Sequence, residues 1–373
     1  FPKIRVVILE KEKTPGFHAS GRNSGVLHAG FYYSPDSLKA KFCREGNIEL
    51  RSLIAKHKLP IIECGKVVLA KNSEENIRLG DLFSRGIANK VELELLDADL
   101  LRSIEPLATT FERFLWSPST AVSNPQLVLK VLKDEFEARG GEFIFNSDVE
   151  IARSGQDFFV ASFPARVLIN AAGAQADKLA RKVECSQDYA MVPFMGTYKS
   201  VPNRNLPLQR LVYPVPHPIN PFLGVHFTIT TKGEVKIGPT AIPLFGREQY
   251  SMWKGWSILD SFQSLKAFWS LIKGKQHDFS WIVKHEIPKV LTRNLVMEAS
   301  KLIPQANLIR GWRTRPPGIR AQLVHLASGK LEQDFIVEKV GNSIHILNAV
   351  SPGWTSSIPF ARWIVDTYLR QLI

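Results

Sequence analysis

Cysteine is scarce and badly placed for pairing: Cys43, Cys64 and Cys185 are scattered, odd in number and without a CxxC spacing. That argues against a disulfide framework or a structural zinc site and fits a reducing compartment, so no metal ligands are assigned. No uninterrupted apolar run of about 18 residues occurs, and no transmembrane helix is expected. Internal repeats and low-complexity tethers are also missing. A chain of 373 residues suggests two domains, which must then interleave in sequence. Acidic residues are in short supply, 35 against 48 basic ones, for a net charge of +13. Beyond an ordinary solvated surface, such an excess favours an acidic substrate, a phosphate-bearing cofactor or an anionic membrane. Zinc fingers, basic helices and RNA-binding motifs are absent, which argues against nucleic acid. The start, Phe1-Pro2-Lys3, shows no initiator Met, n-region or h-region, so any targeting peptide is expected to lie outside this sequence.

What is present begins with Val6-Val7-Ile8-Leu9-Glu10, a β-branched run ending in an acid. A carboxylate at the end of a Rossmann strand can accept both ribose hydroxyl hydrogens. Behind it, His18 to Gly30 is small, polar and glycine-rich. Ser20, Asn23 and Ser24 suit phosphate and ribityl oxygens, Arg22 can offset pyrophosphate charge, and Gly21, Gly25 and Gly30 permit close backbone approach. His28 reads either as a core histidine or as a group facing the substrate. Helical spacing is expected over 34–57, 74–87 and 97–104, and over 126–139 behind Asn124-Pro125, stopped by Gly140-Gly141. Strands are expected at 4–9, 66–70, 142–145 and 166–169, and an antiparallel sheet across the proline-dense stretch 189–240. Residues 250–290 read as helical and aromatic, and a last helix as spanning 360–372.

Two further stretches read as parts of a site. Asn170-Ala171-Ala172-Gly173 ends a buried strand in small residues that let the chain pass close to a cofactor. Arg320, in Pro316-Pro317-Gly318-Ile319-Arg320, is a candidate bidentate clamp for a carboxylate, or else a surface arginine. Residues 351–357 are rich in Gly, Ser and Thr just before the last helix, where backbone N–H groups can face a ring system. Trp253, Trp256, Trp269 and Trp281 are four of the eight tryptophans. Leu259, Phe262, Leu265, Trp269 and Ile272 recur at helical spacing, with Lys254, Lys266, Lys273 and Lys275 nearby. A stripe of this kind over 253–275 either packs on its own domain or contacts a membrane interface.

Together these segments resemble the L-2-hydroxyglutarate dehydrogenase/oxidase family, within the FAD-dependent oxidoreductases of the D-amino-acid-oxidase type. The carriers are SGRNSGVLHAGFYY (20–33), SLKAKFC (37–43), CGK (64–66), ARGGE (138–142), NAAG (170–173) and VYPVPHPINPFLGVHFT (212–228). GPTA (238–241), PPGIRAQ (316–322), GKLEQDF (329–335) and NAVSPGWTSSIP (348–359) complete them, over nearly the whole chain. The resemblance implies an α/β fold with an α+β second domain. A Rossmann-like FAD-binding domain (1–55, 124–188 and 308–373) interleaves with an antiparallel-sheet substrate domain (56–123 and 189–307). It implies oxidation of a 2-hydroxy acid, most simply L-2-hydroxyglutarate, by hydride transfer to FAD. Electrons then leave to an acceptor such as the quinone pool, with peripheral contact at the mitochondrial inner or bacterial cytoplasmic membrane, or from a soluble intracellular enzyme. His226 and His28 are the candidates for base and substrate positioning, without a choice between them. Arg320 would hold the C1 carboxylate, and Tyr33 or Tyr198 would supply hydroxyls. Glu10, Lys11, Ser20, Arg22, Asn23, Ser24, Val149, Ala172, Gly173, Ser351, Gly353, Thr355 and Ser356 would hold FAD.

The chain departs from the family pattern in several places. Met195-Gly196-Thr197-Tyr198 replaces an Arg-Gly-Glu-Tyr-like element, His217 stands where aspartate is common, and Pro352-Gly353-Trp354 replaces a Pro-Ala-Ala-like stretch. The first change removes an arginine suited to a distal carboxylate, which leaves another amino or hydroxy acid as an alternative substrate. The last places an indole near the expected flavin edge. The strand, GxGxxG turn and first helix that normally precede Glu10 stand outside the sequence. The expectation is that the sequence is a fragment, or that a chain truly starting at Phe1 is impaired in FAD binding, a flavoprotein remnant.

Overall fold

The β-branched run before Glu10 forms the strand Val7–Leu9, paired in parallel with Glu142–Ile144. A second parallel pairing joins Leu168–Asn170 to Ser343–Ile346, and Val337–Val340 adds to it antiparallel. These belong to a computed structural model that describes residues 4–147, 149–154, 157–161, 163–218, 222–251, 255, 257–274 and 279–373. Among those residues the two parallel pairs are separate sheets, and Ile8 and Ile169 stand exposed on their strands. The fold is thus mixed α/β, with its Rossmann-like sheet in two parallel pieces. The meander of strands at 151–165 follows the first piece.

A ten-stranded sheet forms the other layer. Its order is Lys330–Leu331, Arg313–His325, Tyr189–Pro202, Glu234–Gly238, His226–Ile229, Leu211–Pro214, Lys66–Leu69, Arg113–Ser117 and Glu94–Asp97. Ile242–Pro243 attaches to Tyr189–Pro202. Every pairing is antiparallel except Leu211–Pro214 with Lys66–Leu69. The alternation expected over 189–240 is therefore realised, and Arg313–His325 pairs with Tyr189–Pro202 along most of its length. Val67, Val68, Leu69, Phe114, Leu115, Val212 and Phe227 fill the core on these central strands.

Local chemistry sets the helices. Ser37 caps Leu38–Lys56 by accepting from the Ala40 N–H, and Asn124 caps Pro125–Ala138, with proline in the first turn where no N–H is needed. Asp334 adds a tertiary cap: its carboxylate accepts from the Leu38 and Lys39 N–H groups at 2.7 and 2.9 Å. Gly46 places this helix. A Cβ there would lie 2.0 Å from the Thr355 carbonyl oxygen, so only glycine lets the helix rest on the turn before Ser357–Ile364. That turn is tied in its own right to the strand Val26–Leu27. The Thr355 hydroxyl donates to the Val26 carbonyl at 3.1 Å and accepts from the His28 N–H at 3.2 Å. Three distant segments are thereby locked around His28.

The helix Ile258–Gly274 corrects the plain reading of the aromatic stripe, in which it packs on its own domain. Ala267, Phe268 and Leu271 do pack on the large sheet with Ile282, Val324 and Leu331. Ile258, Phe262, Leu265, Trp269 and Ile272 face outward, each between 51% and 68% exposed. Trp253, Lys254, Trp256 and Lys275 lie outside the described residues, as does the side chain of Leu259. No helix among the described residues is long and apolar enough to cross a membrane.

Candidate active site

Lys66 opens the strand Lys66–Leu69, every residue of which is buried. Its ammonium end is sealed off from water, 3.5 Å from Nδ1 of His28. The faces of Tyr213, Tyr32 and Phe31 surround it at 4.3, 5.1 and 5.4 Å from Nζ to ring centroid. Among the described residues no carboxylate comes within ion-pair distance of it. Burial pushes its pKa down to about 7. His226 stacks on Tyr213, with centroids 3.8 Å apart, and its Nδ1 is 2.9 Å from the Gly224 carbonyl. A carbonyl can only accept, so that contact keeps the Nδ1 proton in place. Burial lowers the His226 pKa to about 3 against the pull of that carbonyl, and the Lys66 charge adds to the effect. Burial first, then Lys66 and His226, hold His28 well below the ordinary imidazole range. The two candidate histidines are thus brought together, and both imidazoles are neutral near pH 7.

The backbone around His28 is pinned by three side chains. Asn47 donates to the Leu27, His28 and Ser119 carbonyls, Cys43 donates to the His28 carbonyl, and Thr355 meets its N–H. Arg320 supplies a second cationic group. Its Nε donates to Gln322 at 3.1 Å, its guanidinium lies 4.9 Å from the Phe222 ring centroid, and it has no ion pair with a carboxylate among the described residues. Burial pushes its pKa down to about 10, so it stays charged at neutral pH. Burial raises Tyr33 well above the usual phenol range, while Arg320 and a hydrogen bond with Ser351 oppose the rise. Lys39, buried on the Leu38–Lys56 helix, is pushed down to about 7, mainly by burial and then by Arg320, while Asp334 opposes. Arg320 thus stays charged, while Lys66 and Lys39 lie near their midpoints at neutral pH, and all three sit among buried groups with little acidic compensation among the described residues. Such a cluster suits an anionic ligand. The Tyr32 hydroxyl, buried and without a hydrogen-bond partner, is a further group open to a ligand.

The expected cofactor residues divide into free and engaged groups. Glu10 follows Val7–Leu9 and accepts from the Glu12 N–H at 2.9 Å through one carboxylate oxygen. Lys11 is held between Glu12 and Glu248, at 2.8 and 2.6 Å. Arg22 donates to the Phe17 and Pro317 carbonyls and lies 4.2 Å from the Tyr250 ring centroid, while Asn23 closes the turn through Ala19, Ser20 and Gly25. These two side chains fold the loop on itself, which leaves exposed Ser20 and part-buried Ser24 as its freer groups. Ala172 and Gly173 lie in the turn after Leu168–Asn170, with the Ala172 N–H on the Asn170 side chain at 3.2 Å. Val149 is partly buried against the cluster beneath that turn. Thr355 is committed to the Val26–Leu27 strand, and Gly353 is pressed on the Ala349 carbonyl, 2.6 Å from where a Cβ would sit. Ser351 is exposed. Ser356 carries the fit to a dinucleotide: its hydroxyl is fully buried, without a partner, at the start of Ser357–Ile364.

Among the other expected residues, Tyr198 lies near enough to Tyr213 of the Lys66 cage to act on its hydroxyl electrostatically. Tyr198 lines a cavity of about 870 Å³ with Arg22, Asn23 and Ser24. Met195 lies in an apolar cluster with Ile242, Leu244 and Ile319, and Thr197 bonds to Thr240. Trp354 packs beside Leu27, Leu50 and Ile54. His217 stacks on Trp281, 4.3 Å between centroids. Sequence reasoning missed Lys66, Lys39, Tyr32 and Tyr213 as site residues. The available signal was Lys66 itself, a lone cation at the head of the apolar run Val67-Val68-Leu69.

Comparison with known proteins agrees with this geometry. The family model described as FAD dependent oxidoreductase (DAO) matches residues 2–367. L-2-hydroxyglutarate dehydrogenase of Escherichia coli (strain K12) is 34% identical over 377 residues, covering 98% of this chain and 87% of that one. The mitochondrial L-2-hydroxyglutarate dehydrogenase of Caenorhabditis elegans is 35% identical, covering 99% and 88%. Among solved structures, L-alpha-glycerophosphate oxidase from Mycoplasma pneumoniae with FAD bound has a TM-score of 0.75 at 22% identity, covering 98% of this chain and 88% of that one. Glycine oxidase from Geobacillus kaustophilus reaches 0.71 at 17%, covering 99% and 89%. A dinucleotide-type acidic strand end, an unpartnered Ser356 and a cationic cage beside two neutral histidines belong together for this reason: the chain is a member of the DAO family of FAD-dependent oxidoreductases.

Proposed function

We propose that this enzyme oxidises L-2-hydroxyglutarate to 2-oxoglutarate at the site built around His28, Lys66, His226 and Arg320. The observation that carries the reading is Arg320, a charged guanidinium beside Tyr33 and Lys39 with no carboxylate partner among the described residues. A 2-hydroxy dicarboxylate meets that guanidinium with its C1 carboxylate, and Lys39, next to Arg320, favours its second negative charge. The names of the relatives above support the same substrate. Glu10, Ser24, Gly173 and Ser356 would hold FAD, which would supply the two-electron oxidation. The protein's own task is to orient the substrate, exclude water and take the hydroxyl proton on a neutral imidazole. Because position 195 is packed away among Ile242, Leu244 and Ile319, its methionine leaves the cationic pocket intact.

The test is a panel of 2-hydroxy and 2-amino acids with an artificial electron acceptor. L-2-Hydroxyglutarate is expected to give the highest kcat/KM, with its D enantiomer inactive. A faster 2-amino acid would overturn the substrate assignment.

A membrane-borne quinone is the electron acceptor we favour, because of the helix Ile258–Gly274. Its outward stripe of Phe262, Leu265, Trp269 and Ile272 is flanked by exposed Lys266 and Lys273, on a protein of net charge +13. Aromatic and aliphatic groups beside lysines suit the interface of an anionic bilayer. Replacing Phe262 and Trp269 together by serine is expected to weaken binding to anionic vesicles roughly a hundredfold, from the lost apolar burial. Turnover with a soluble acceptor should be unchanged. Undiminished flotation with vesicles would exclude this surface.

A further inference from the structure

We propose that Lys66 is the proton acceptor behind His28, so that the two side chains act as one base. The inference rests on the function proposed above and identifies which histidine starts the proton's path. His226 offers no onward route, because its Nδ1 is bound to the Gly224 carbonyl. A proton arriving at its Nε2 would be trapped as a buried imidazolium. His28 differs. Its Nδ1 faces the Lys66 Nζ at 3.5 Å, and its Nε2 has no partner among the described residues. Catalytic hydrogen bonds are often this long before substrate binds and tighten afterwards.

The substrate O–H bond breaks and its proton goes to Nε2 of His28. The Nδ1–H bond breaks in turn, and that proton goes to the Lys66 amine, leaving His28 neutral and Lys66 an ammonium. The carbinol C–H electrons form no part of this route; they would leave with their hydrogen as hydride to the oxidant that FAD would supply, as the C=O bond forms. Neither imidazole is a stable home for a proton here, since burial holds both well below the usual range. Lys66 is a better one, with its value near 7. The rings of Phe31, Tyr32 and Tyr213 then face the new positive charge. The ionisable groups around Lys66 are His28, Tyr32, Cys43, Cys64, Tyr213 and His226. Burial keeps both thiols protonated, Cys43 up to about 12 and Cys64 up to about 11, so none of these groups competes as a counter-ion near neutral pH.

The experiment is rapid-mixing measurement of flavin reduction by L-2-hydroxyglutarate in the FAD-loaded enzyme, across pH, for wild type, Lys66→Met, Lys66→Arg and Lys66→Ala. In wild type the rate constant is expected to rise with pH and level off above about 7. Lys66→Met should slow reduction by about 10²–10⁴-fold and lose that limb. Lys66→Arg keeps the charge and stem yet should be equally slow. Ethylamine should restore part of the rate to Lys66→Ala. A Lys66→Met or Lys66→Arg enzyme with the wild-type rate and limb, altered only in KM, would overturn the proposal and make Lys66 a carboxylate anchor. A second readout needs no substrate. In enzyme carrying ¹³C-labelled lysine, the Cε resonances of Lys39 and Lys66 should both titrate near 7, and one of the two should vanish in Lys66→Arg. If wild type shows that Lys66 resonance while L-2-hydroxyglutarate leaves the flavin oxidised, the substrate assignment fails and the dyad stands. If no such resonance exists, the dyad fails.

Discussion

Replacing Arg320 by methionine should lower kcat/KM for L-2-hydroxyglutarate by about a hundredfold to a thousandfold. Truncating one partner of a desolvated, hydrogen-bonded charge pair costs about 3–4 kcal/mol, and every 1.4 kcal/mol is tenfold. The native guanidinium has no competing protein carboxylate among the described residues, so the whole loss falls on the ligand. Arg320→Lys should be nearly as slow, because it keeps a charge but loses the planar fork and the contact with Phe222. Steady-state kinetics with a soluble acceptor decide the matter. A change below about threefold in Arg320→Met would place substrate recognition elsewhere.

The second large effect is on stability. Asp177 is completely buried, and its carboxylate holds Arg247, which is buried as well, through both oxygens, the NH2 contact being 3.0 Å. Arg181 adds a contact at 3.1 Å and the Met191 N–H another at 3.1 Å. Arg247 goes on to the Ala174 carbonyl and Gln263, so one carboxylate ties the turn after Leu168–Asn170 to the helix Ile258–Gly274. Asp177→Ala should destabilise the protein by about 3–5 kcal/mol, because it leaves the buried Arg247 guanidinium with the Asp260 carboxylate alone among the described residues, 3.8 Å from its Nε. Asp177→Ala combined with Arg247→Met should recover much of that loss. Denaturant unfolding measures both; a single-variant loss under about 1 kcal/mol would contradict the assignment.

The same residue sets a direction with pH. Burial alone would raise its carboxyl pKa, but the Arg247 hydrogen bond and charge, with Arg181 and Met191, bring it below the ordinary value. A carboxyl lowered in the folded state contributes stability above its unfolded pKa and loses it as pH falls through its folded one. Stability should therefore fall on acidification below about pH 4, and the fall should be shallower in the double variant.

Much of this architecture could be read from residue patterns, because local signals and tertiary roles coincide. Asn124-Pro125 does start a helix, Gly140-Gly141 follows its end, and the Val7-Ile8-Leu9 run is a parallel strand ahead of Glu10. The pairing of His28 with His226 was foreseen only as two candidates without a choice. Their difference lies in a carbonyl on one Nδ1 and an amine on the other, and no spacing encodes that. Lys66 escaped notice because a lysine at the head of a strand usually points to water. Here the parallel neighbour Leu211–Pro214 and the antiparallel Arg113–Ser117 enclose it from both sides. The stripe from Phe262 to Ile272 was equally ambiguous. A helical period shows that a face exists, and only the fold shows that Ala267, Phe268 and Leu271 occupy the inner one. Thr355 sits in a Gly/Ser/Thr-rich turn, and no spacing shows that its hydroxyl is spent on Val26 and His28.

Anaerobic titration of the FAD-loaded enzyme with L-2-hydroxyglutarate, followed by flavin absorbance, tests the central claim most directly. The account requires bleaching by the L enantiomer, none by the D enantiomer, and release of 2-oxoglutarate matching the flavin reduced. A flavin that stays oxidised with L-2-hydroxyglutarate but is bleached by glycine or by glycerol 3-phosphate would contradict it.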